Sequence, residues 1–308
     1  MGLPRCGQEM MSTLRRRTRL GLPVQLTLLA FPFKVPNPAK VGGRRLPDSA
    51  ELMAIRHFGA LIDAIRSVYP PGLELHILHD GSLIADVFGI DLQEVRDYEV
   101  YFADLVVKEQ AIDFIHCHDF HALQQRHTPL AYGSVEKLRS AAQQWWLERR
   151  GTDEWRGNFQ KTLGLMNLRE FPAGVVAALM QYASVGSLPE AYNNVEHRVH
   201  RAMVEYHVRD AIIHQFDPRA LSFPDAIHAT TQDRPGRLAL WLVRRGRSLL
   251  PWHGVGCFDA EGTPHVVYDW DVCRRHDYKA EFVAQEATPF AYRKLESLAV
   301  RAARLTPV

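Results

Sequence analysis

Lysine, arginine, aspartate and histidine gather at three points of this chain where they could bind an anion and move protons. The densest is Phe31 to Glu51, FPFKVPNPAKVGGRRLPDSAE, which carries Lys34, Lys40, Arg44 and Arg45 together with Asn37. Lysine and arginine hold phosphate or carboxylate through charge-assisted hydrogen bonds. Four cations facing a helix start make a pocket for an anionic group, because the helix N-terminus adds unpaired N–H donors. A solvated basic loop is the other reading of the same charges. The second point is His79-Asp80-Gly81 and the third is Pro251-Trp252-His253-Gly254. Histidine exchanges protons near neutral pH, so His253 and Asp80 are candidates for acid–base work, with His79 and Trp252 beside them as binding residues. Asp80-Gly81 is also a common turn pair, and a histidine such as His253 is often structural.

Two other clusters compete. His116-Cys117-His118-Asp119-Phe120-His121 follows a strand and resembles the H-x-H-x-D-H zinc motif of metallo-β-lactamase-type hydrolases, with the carboxylate one position out of place. A metal-dependent hydrolase using His116, His118 and His121 is therefore the alternative function. Trp145, Trp146, Arg149, Arg150 and Trp155 mix aromatics with cations as a nucleic-acid surface does, but a helical core with a charged outer face explains them better. The sequence has neither a glycine-rich dinucleotide fingerprint nor a P-loop.

The elements that would carry these residues follow from periodicity. Val24 to Phe31 is a nearly continuous apolar run, the pattern of a strand buried on both faces. Pro32, Pro36 and Pro38 then stiffen the loop that bears Lys34. Asp48 and Glu51 form a capping box for a helix from about Asp48 to Val68, with Leu52, Ile55, Phe58, Ile62 and Ile65 as its buried stripe. Leu73 to Leu78 reads as a second strand, Asp91 to Lys108 as a helix, and Ile112 to His116 as a third strand. Strand–helix–strand order predicts a parallel sheet with its ligand crevice at the carboxyl ends of the strands, so Lys34 and Asp80 should share one rim.

Further along, helices are predicted at Val135 to Arg149, Trp155 to Leu165, Ala173 to Tyr182 and Val195 to Phe216, and strands at Ala226 to Thr231, Arg237 to Val243, Ser248 to Phe258 and His265 to Tyr268. The tail from Asp269 shows little periodicity. The fold class is α/β: a Rossmann-like parallel or mixed central sheet with a helical insertion and a C-terminal β-rich portion. The expected division is a loose arm over residues 1–20, the Rossmann-like portion over 21–130, the helical portion over 131–217, and a β-rich portion over 218–308 that completes the cleft.

The 308 residues, 46% hydrophobic and 23% charged, describe an ordinary globular chain. A formal charge of +2 is too small to argue for nucleic acid or an anionic membrane. Cys6, Cys117, Cys257 and Cys273 are scattered and form no C-x-x-C pair, so neither a zinc ribbon nor a disulfide framework is indicated and a cytoplasmic protein is expected. Arg15 to Arg19 before an apolar run imitates a secretory signal, but no A-x-A site follows. No run reaches the roughly 18 apolar residues of a membrane span.

Taken together, Pro32-Phe33-Lys34, Asn37-Pro38, Lys40, Leu46-Pro47-Asp48 with Glu51, Tyr69-Pro70-Pro71-Gly72, His79-Asp80-Gly81 and Pro251-Trp252-His253 resemble the pyoverdine and dityrosine biosynthesis family of isocyanide (isonitrile) synthases, over about residues 25 to 270. The resemblance implies that the amino group of tyrosine or tryptophan is joined to ribulose 5-phosphate, whose ketone carbon becomes the isonitrile carbon. It implies no redox cofactor and no metal, and a pathway partner that is an iron(II) and 2-oxoglutarate oxygenase. Eukaryotic relatives lead to N-formyl tyrosine, which leaves the product class open. On this reading Lys34 and Lys40, with Asn37 and Arg44, bind phosphate or carboxylate, Arg237 takes the amino acid's carboxylate, His253 transfers protons, and Asp80 is a second base or a hydroxyl anchor. Lys34 could instead form a Schiff base with the ketose. Relatives carry an R-L-S-I-H-like strand before P-W-H; here the matching run is Ile227-His228-Ala229-Thr230-Thr231-Gln232, which makes His228 a further binding candidate.

Overall fold

The computed structural model describes residues 5–127, 132–215, 218–231, 238–243, 249–283 and 287–295. Its first element corrects the expectation of a loose arm, because Arg5–Arg19 is a helix, α1. Met10 and Leu14 pack against the core, and the guanidinium of Arg17 donates to the Pro23 carbonyl at 2.6 Å. These anchors lie in later residues, so no local signal announces them. Val24–Leu29 follows as β1, buried along nearly its whole length.

The proline loop leads through a short helix, Pro38–Val41 (α2), to Ser49–Arg66 (α3). The capping box forms as expected: Asp48 Oδ1 accepts from Ala50 N at 2.7 Å, and Glu51 Oε2 accepts from Asp48 N at 2.9 Å. Leu73–His79 is β2, Gly81–Phe88 is α4, Leu92–Lys108 is α5 and Ile115–Asp119 is β3. This third strand lies three residues beyond the predicted one, since Phe114 and Ile115 still donate to the Ala111 carbonyl in the turn after α5. His116, Cys117 and His118 are therefore inside the strand and not on a loop after it.

Phe120–His127 (α6), Tyr132–Glu148 (α7), Asp153–Leu163 (α8), Ala173–Ala183 (α9) and Asn193–Gln215 (α10) form the helical layer, in which α10 packs on α4, α7 and α8. Trp146 and Trp155 are buried in the core of this layer, and Arg149 lies over the Trp145 ring, so the aromatic cluster is packing and not a nucleic-acid platform.

After Arg219–Ser222 (α11), the chain returns to the first sheet as Ile227–Thr230 (β4) and Leu238–Ala239 (β5). The order is β3-β2-β1-β4-β5, all parallel, with Leu26 opposite Leu75 on one side and Ile227 on the other. The division at residue 218 thus does not separate two sheets. The predicted strand Ser248 to Phe258 is broken by a 3₁₀ turn at Pro251–His253, and only Val255–Phe258 (β6) is extended. Pro251 opens that turn, where its fixed φ suits the first helical position.

Pro264–Val267 (β7), Asp269–Val272 (α12), Tyr278–Glu281 (β8) and Ala291–Lys294 (β9) complete a second sheet of order β7-β6-β9-β8. The tail that lacks periodicity therefore supplies a helix and two strands. The predicted α/β class with its helical insertion and C-terminal β structure describes the molecule. One core lies between the first sheet and α3 and α5, around Phe58, Phe102 and Ile77; another joins α4 to the helical layer through Phe88, Phe159 and Met203. Each such side chain contributes about 1.5–3 kcal/mol on burial. Among the described residues no helix is long and apolar enough to cross a membrane.

Candidate functional site

A cavity of about 220 Å³ opens where β1, β2 and β4 end, between the sheet and the helical layer. Asp80 reaches it from the end of β2. Its position is set by Gly81, where a Cβ would lie 2.0 Å from the Pro32 carbonyl oxygen; only glycine lets the turn into α4 press against the proline loop. Trp252 and His253 enter from the 3₁₀ turn, and Thr230 and Thr231 from the end of β4. The helical layer adds Lys161 from α8 and Tyr206 and Asp210 from α10, and Arg219 comes from α11. The Lys161 ammonium stands over the Tyr206 ring, 5.3 Å from its centroid.

The proline loop is locked to the Trp–His turn. Val35 N donates to the Trp252 carbonyl at 2.9 Å, and the Phe31 ring meets Trp252 edge-on at 4.9 Å. Phe31 holds a left-handed backbone, φ 57°, unusual for a side chain of that size and a local strain beside the cavity. Its carbonyl accepts a hydrogen bond from His79 Nδ1 at 2.8 Å.

Burial sets the protonation of the site. The Asp80 carboxyl is pushed up to about 6 by desolvation, against the pull of Arg219. Desolvation carries the His253 imidazole well below its ordinary value, and the charges of Lys40, Lys161 and Lys34 lower it further. His79 falls to about 4 for the same first reason. Near neutral pH the cavity therefore offers an ionised carboxylate, a neutral imidazole and two cations, a set that can bind anionic groups and relay protons.

Of the residues singled out in the sequence, Asp80, Trp252 and His253 come together here. Lys34 does not line the cavity. Its ammonium donates to both oxygens of Glu51, at 3.1 and 2.9 Å, and to the Pro251 carbonyl at 3.0 Å, and lies 2.8 Å from Asp48 Oδ2. It is a structural tie between the loop, the start of α3 and the Trp–His turn, with no donor left for phosphate. Asn37 caps α2 by accepting from Ala39 N. Arg44 is buried against the carbonyls of Leu46, Pro47, Thr288 and Pro289, while Arg45 is exposed and 3.8 Å from Glu94. The four cations of the loop thus do not converge on one pocket.

Lys40 lines a separate hollow, His79 is buried against the Phe31 carbonyl and does not line the cavity, and His228 Nδ1 sits 2.7 Å from Thr27 Oγ1 within the sheet. Arg237 and Gln232 fall outside the described residues. Lys161, Tyr206, Asp210 and Arg219 were not legible in the sequence: they belong to no motif, and Lys161 is simply a polar position beside the apolar stripe of α8.

The histidine cluster does not assemble a metal site. His76 Nδ1 is 3.1 Å from His118 Nε2, His76 stacks on His116, and His121 pairs with Gln125. Asp119 Oδ1 accepts from the backbone N–H of His121 and Ala122. Among the described residues no group of three or more His, Cys, Asp or Glu side chains could hold a metal ion, which removes the basis for the hydrolase alternative.

Residues 14–154 match the sequence pattern described as pyoverdine/dityrosine biosynthesis protein. An L-tyrosine isonitrile synthase of Xenorhabdus nematophila is 36% identical over 93 residues, which is 30% of this chain and 28% of that protein. An L-tryptophan isonitrile synthase of Fischerella ambigua is 31% identical over 127 residues, 39% of this chain and 38% of that one. The isocyanide synthase xanB of Aspergillus fumigatus is 24% identical over 291 residues, covering 89% of this chain and 37% of its own length. The matches span between 28% and 38% of these relatives. The crystal structure of the PvcA protein from Pseudomonas aeruginosa superposes with a TM-score of 0.63 at 20% identity, covering 94% of this chain and 92% of that one, and so shares the fold.

Proposed function

We propose that this chain is a member of the pyoverdine/dityrosine biosynthesis protein family, whose pattern residues 14–154 match, and that it converts the amino group of an aromatic L-amino acid, tyrosine or tryptophan, into an isonitrile, with ribulose 5-phosphate as the carbon donor. The observation that carries this reading is the pairing, in one cavity, of two cations with two proton-transfer groups: Lys161 and Arg219 beside Asp80 and His253. The substrates bring two anionic groups, a carboxylate and a phosphate, and the reaction needs repeated proton movements.

In this scheme Lys161 and Arg219 hold the carboxylate and the phosphate, and Trp252, Phe33 and Phe88 wall the aromatic ring. Neutral His253 takes the proton from the amino group so that its nitrogen can attack the ketone. The proton held by His253 goes to the departing hydroxyl as water leaves, and the Asp80 carboxylate, whose basic form is present above about pH 6, takes the remaining nitrogen proton as the imine forms. The carbon-bound protons, the phosphate and the remaining sugar carbons are then removed within reach of the same two groups. A cytoplasmic setting and a following oxidation by an iron(II) and 2-oxoglutarate oxygenase belong to the same reading.

The test is incubation with tyrosine or tryptophan and ribulose 5-phosphate labelled with ¹³C at C2. Mass spectrometry should find an isonitrile one mass unit heavier than its unlabelled counterpart, which is about the mass difference of one ¹³C atom. An unlabelled isonitrile would remove the pentose as carbon donor, and an N-formyl product would reassign the reaction.

A further inference from the structure

Lys40 is a buried lysine without a carboxylate partner. It lies on α2, is 7% exposed, and makes neither a hydrogen bond nor an ion pair among the described residues; the nearest ring, Tyr268, has its centroid 5.6 Å from the ammonium. The chain makes room for it. At Gly164, which closes α8, a Cβ would fall 2.7 Å from the Lys40 nitrogen, so a larger residue would displace the amine. Lys40 opens onto a hollow of about 510 Å³ lined by Gln160, Gln181, Tyr268, Trp270 and Asp271. Amides, a phenol and a carboxylate around an aromatic wall match the hydroxyls and C–H faces of a small polyhydroxylated molecule.

A structural lysine of this burial is expected to be paired, as Lys34 is. Leaving Lys40 unpaired favours the neutral amine, and desolvation lowers it to about 8. Near pH 7.5 that gives roughly a hundredfold more neutral amine than an ordinary lysine has. Among the lysines whose charge lowers the His253 imidazole, Lys40 has the largest influence.

We propose that Lys40 is a nucleophilic amine that forms an imine with the carbonyl carbon of a small polyhydroxylated ligand seated in this hollow. The neutral amine attacks the carbonyl carbon, the C=O electron pair moves to oxygen, and a proton passes from nitrogen to that oxygen to give a carbinolamine. The nitrogen lone pair then expels the hydroxyl, which leaves as water after taking a proton, so that amine and carbonyl yield imine and water with no oxidant or reductant. Identifying the ligand as the ketose phosphate rests on the function proposed above. In that case the amino acid's amine attacks this imine carbon in place of the free ketone of the scheme above, and the group that leaves is the Lys40 amine in place of water.

Reductive trapping tests this. The full-length protein is incubated with ribulose 5-phosphate, and separately with glyceraldehyde, each with sodium cyanoborohydride, then digested and mapped by mass spectrometry. Lys40 should carry the reduced adduct about tenfold or more above any other lysine, given its larger neutral fraction. Lys40→Arg should remove the adduct while its circular dichroism spectrum stays that of the parent. Trapping at Lys40 by glyceraldehyde alone supports the reactive amine and counts against the ketose phosphate as its partner. Adducts spread evenly over the lysines with both reagents, or isonitrile formation by Lys40→Arg at the parent rate, overturn the proposal while leaving the carbon-donor reading standing.

Discussion

The Lys34 ammonium and the Glu51 carboxylate meet at 3.1 and 2.9 Å with no exposed side-chain surface on either residue. Glu51 also accepts from the Tyr98 hydroxyl at 3.1 Å and from Asp48 N at 2.9 Å, so one carboxylate caps α3, neutralises the loop and anchors α5.

Removing the cation leaves two buried carboxylates, Glu51 and Asp48, without their counter-charge. Lys34→Met should lower stability by about 3–5 kcal/mol, the usual consequence of breaking one side of a buried pair. Urea denaturation checks it. Unchanged stability with a raised KM for the sugar would return Lys34 to the binding site.

Asp80 has a carboxyl raised to about 6, so its basic form appears only as pH rises through that value. If it relays protons, kcat/KM should climb across the same window, and Asp80→Asn should lower kcat by roughly 10²–10⁴ and abolish that limb. A pH–rate profile of the variant that keeps the limb would assign it to another group.

The proposed anion binding by the cavity's cations can be separated from the proposed proton relays. Lys161 is exposed and can be replaced without unfolding α8. Lys161→Met should raise KM about 10- to 100-fold with little change in kcat, matching one lost charge-assisted hydrogen bond of about 1.5–3 kcal/mol. Initial-rate kinetics on each proposed substrate in turn will show whether Lys161 holds the carboxylate or the phosphate; a fall in kcat alone would move it from binding to chemistry.

The folded-state pKa of His79 is depressed to about 4, so the unfolded chain takes up a proton before the folded one does. The stability it protects is present above its ordinary pKa and is lost as pH falls from about 6.5 towards 4. Between pH 7 and 5 this amounts to about 2 kcal/mol. Urea midpoints at the two pH values should show the loss, and His79→Gln should be less stable at pH 7 yet flatter with pH. An equal slope in the variant would remove His79 as the linked group.

What could be read from the sequence was what is local. The Asp48–Glu51 box spans four residues and declares itself, and the rule that parallel strands place ligands at their carboxyl ends puts Asp80 at the cavity, though not Lys34, which the same rule set beside it. The partners of Lys34 are not legible, because charge does not tell whether a cation faces solvent or the start of a helix folded back on it. Lys161 and Arg219 could not be found because their place at the cavity arises only when α8 and α11 are laid over the sheet. The strand around His116 was displaced by a turn whose hydrogen bonds leave no mark in composition, and α1 was missed because its partners, Pro23 and the sheet, come after it.

β1 joins a neighbour about fifty residues away on one flank and another two hundred residues away on the other, as the pairing of Leu26 with Leu75 and with Ile227 shows. During synthesis the second flank stays open until the entire helical layer has left the ribosome. A fragment ending near residue 154 would keep that bare edge permanently, offering an apolar strand to any other unpaired strand nearby. Such a fragment should precipitate, and shortening this chain for expression will succeed only if β4 is retained.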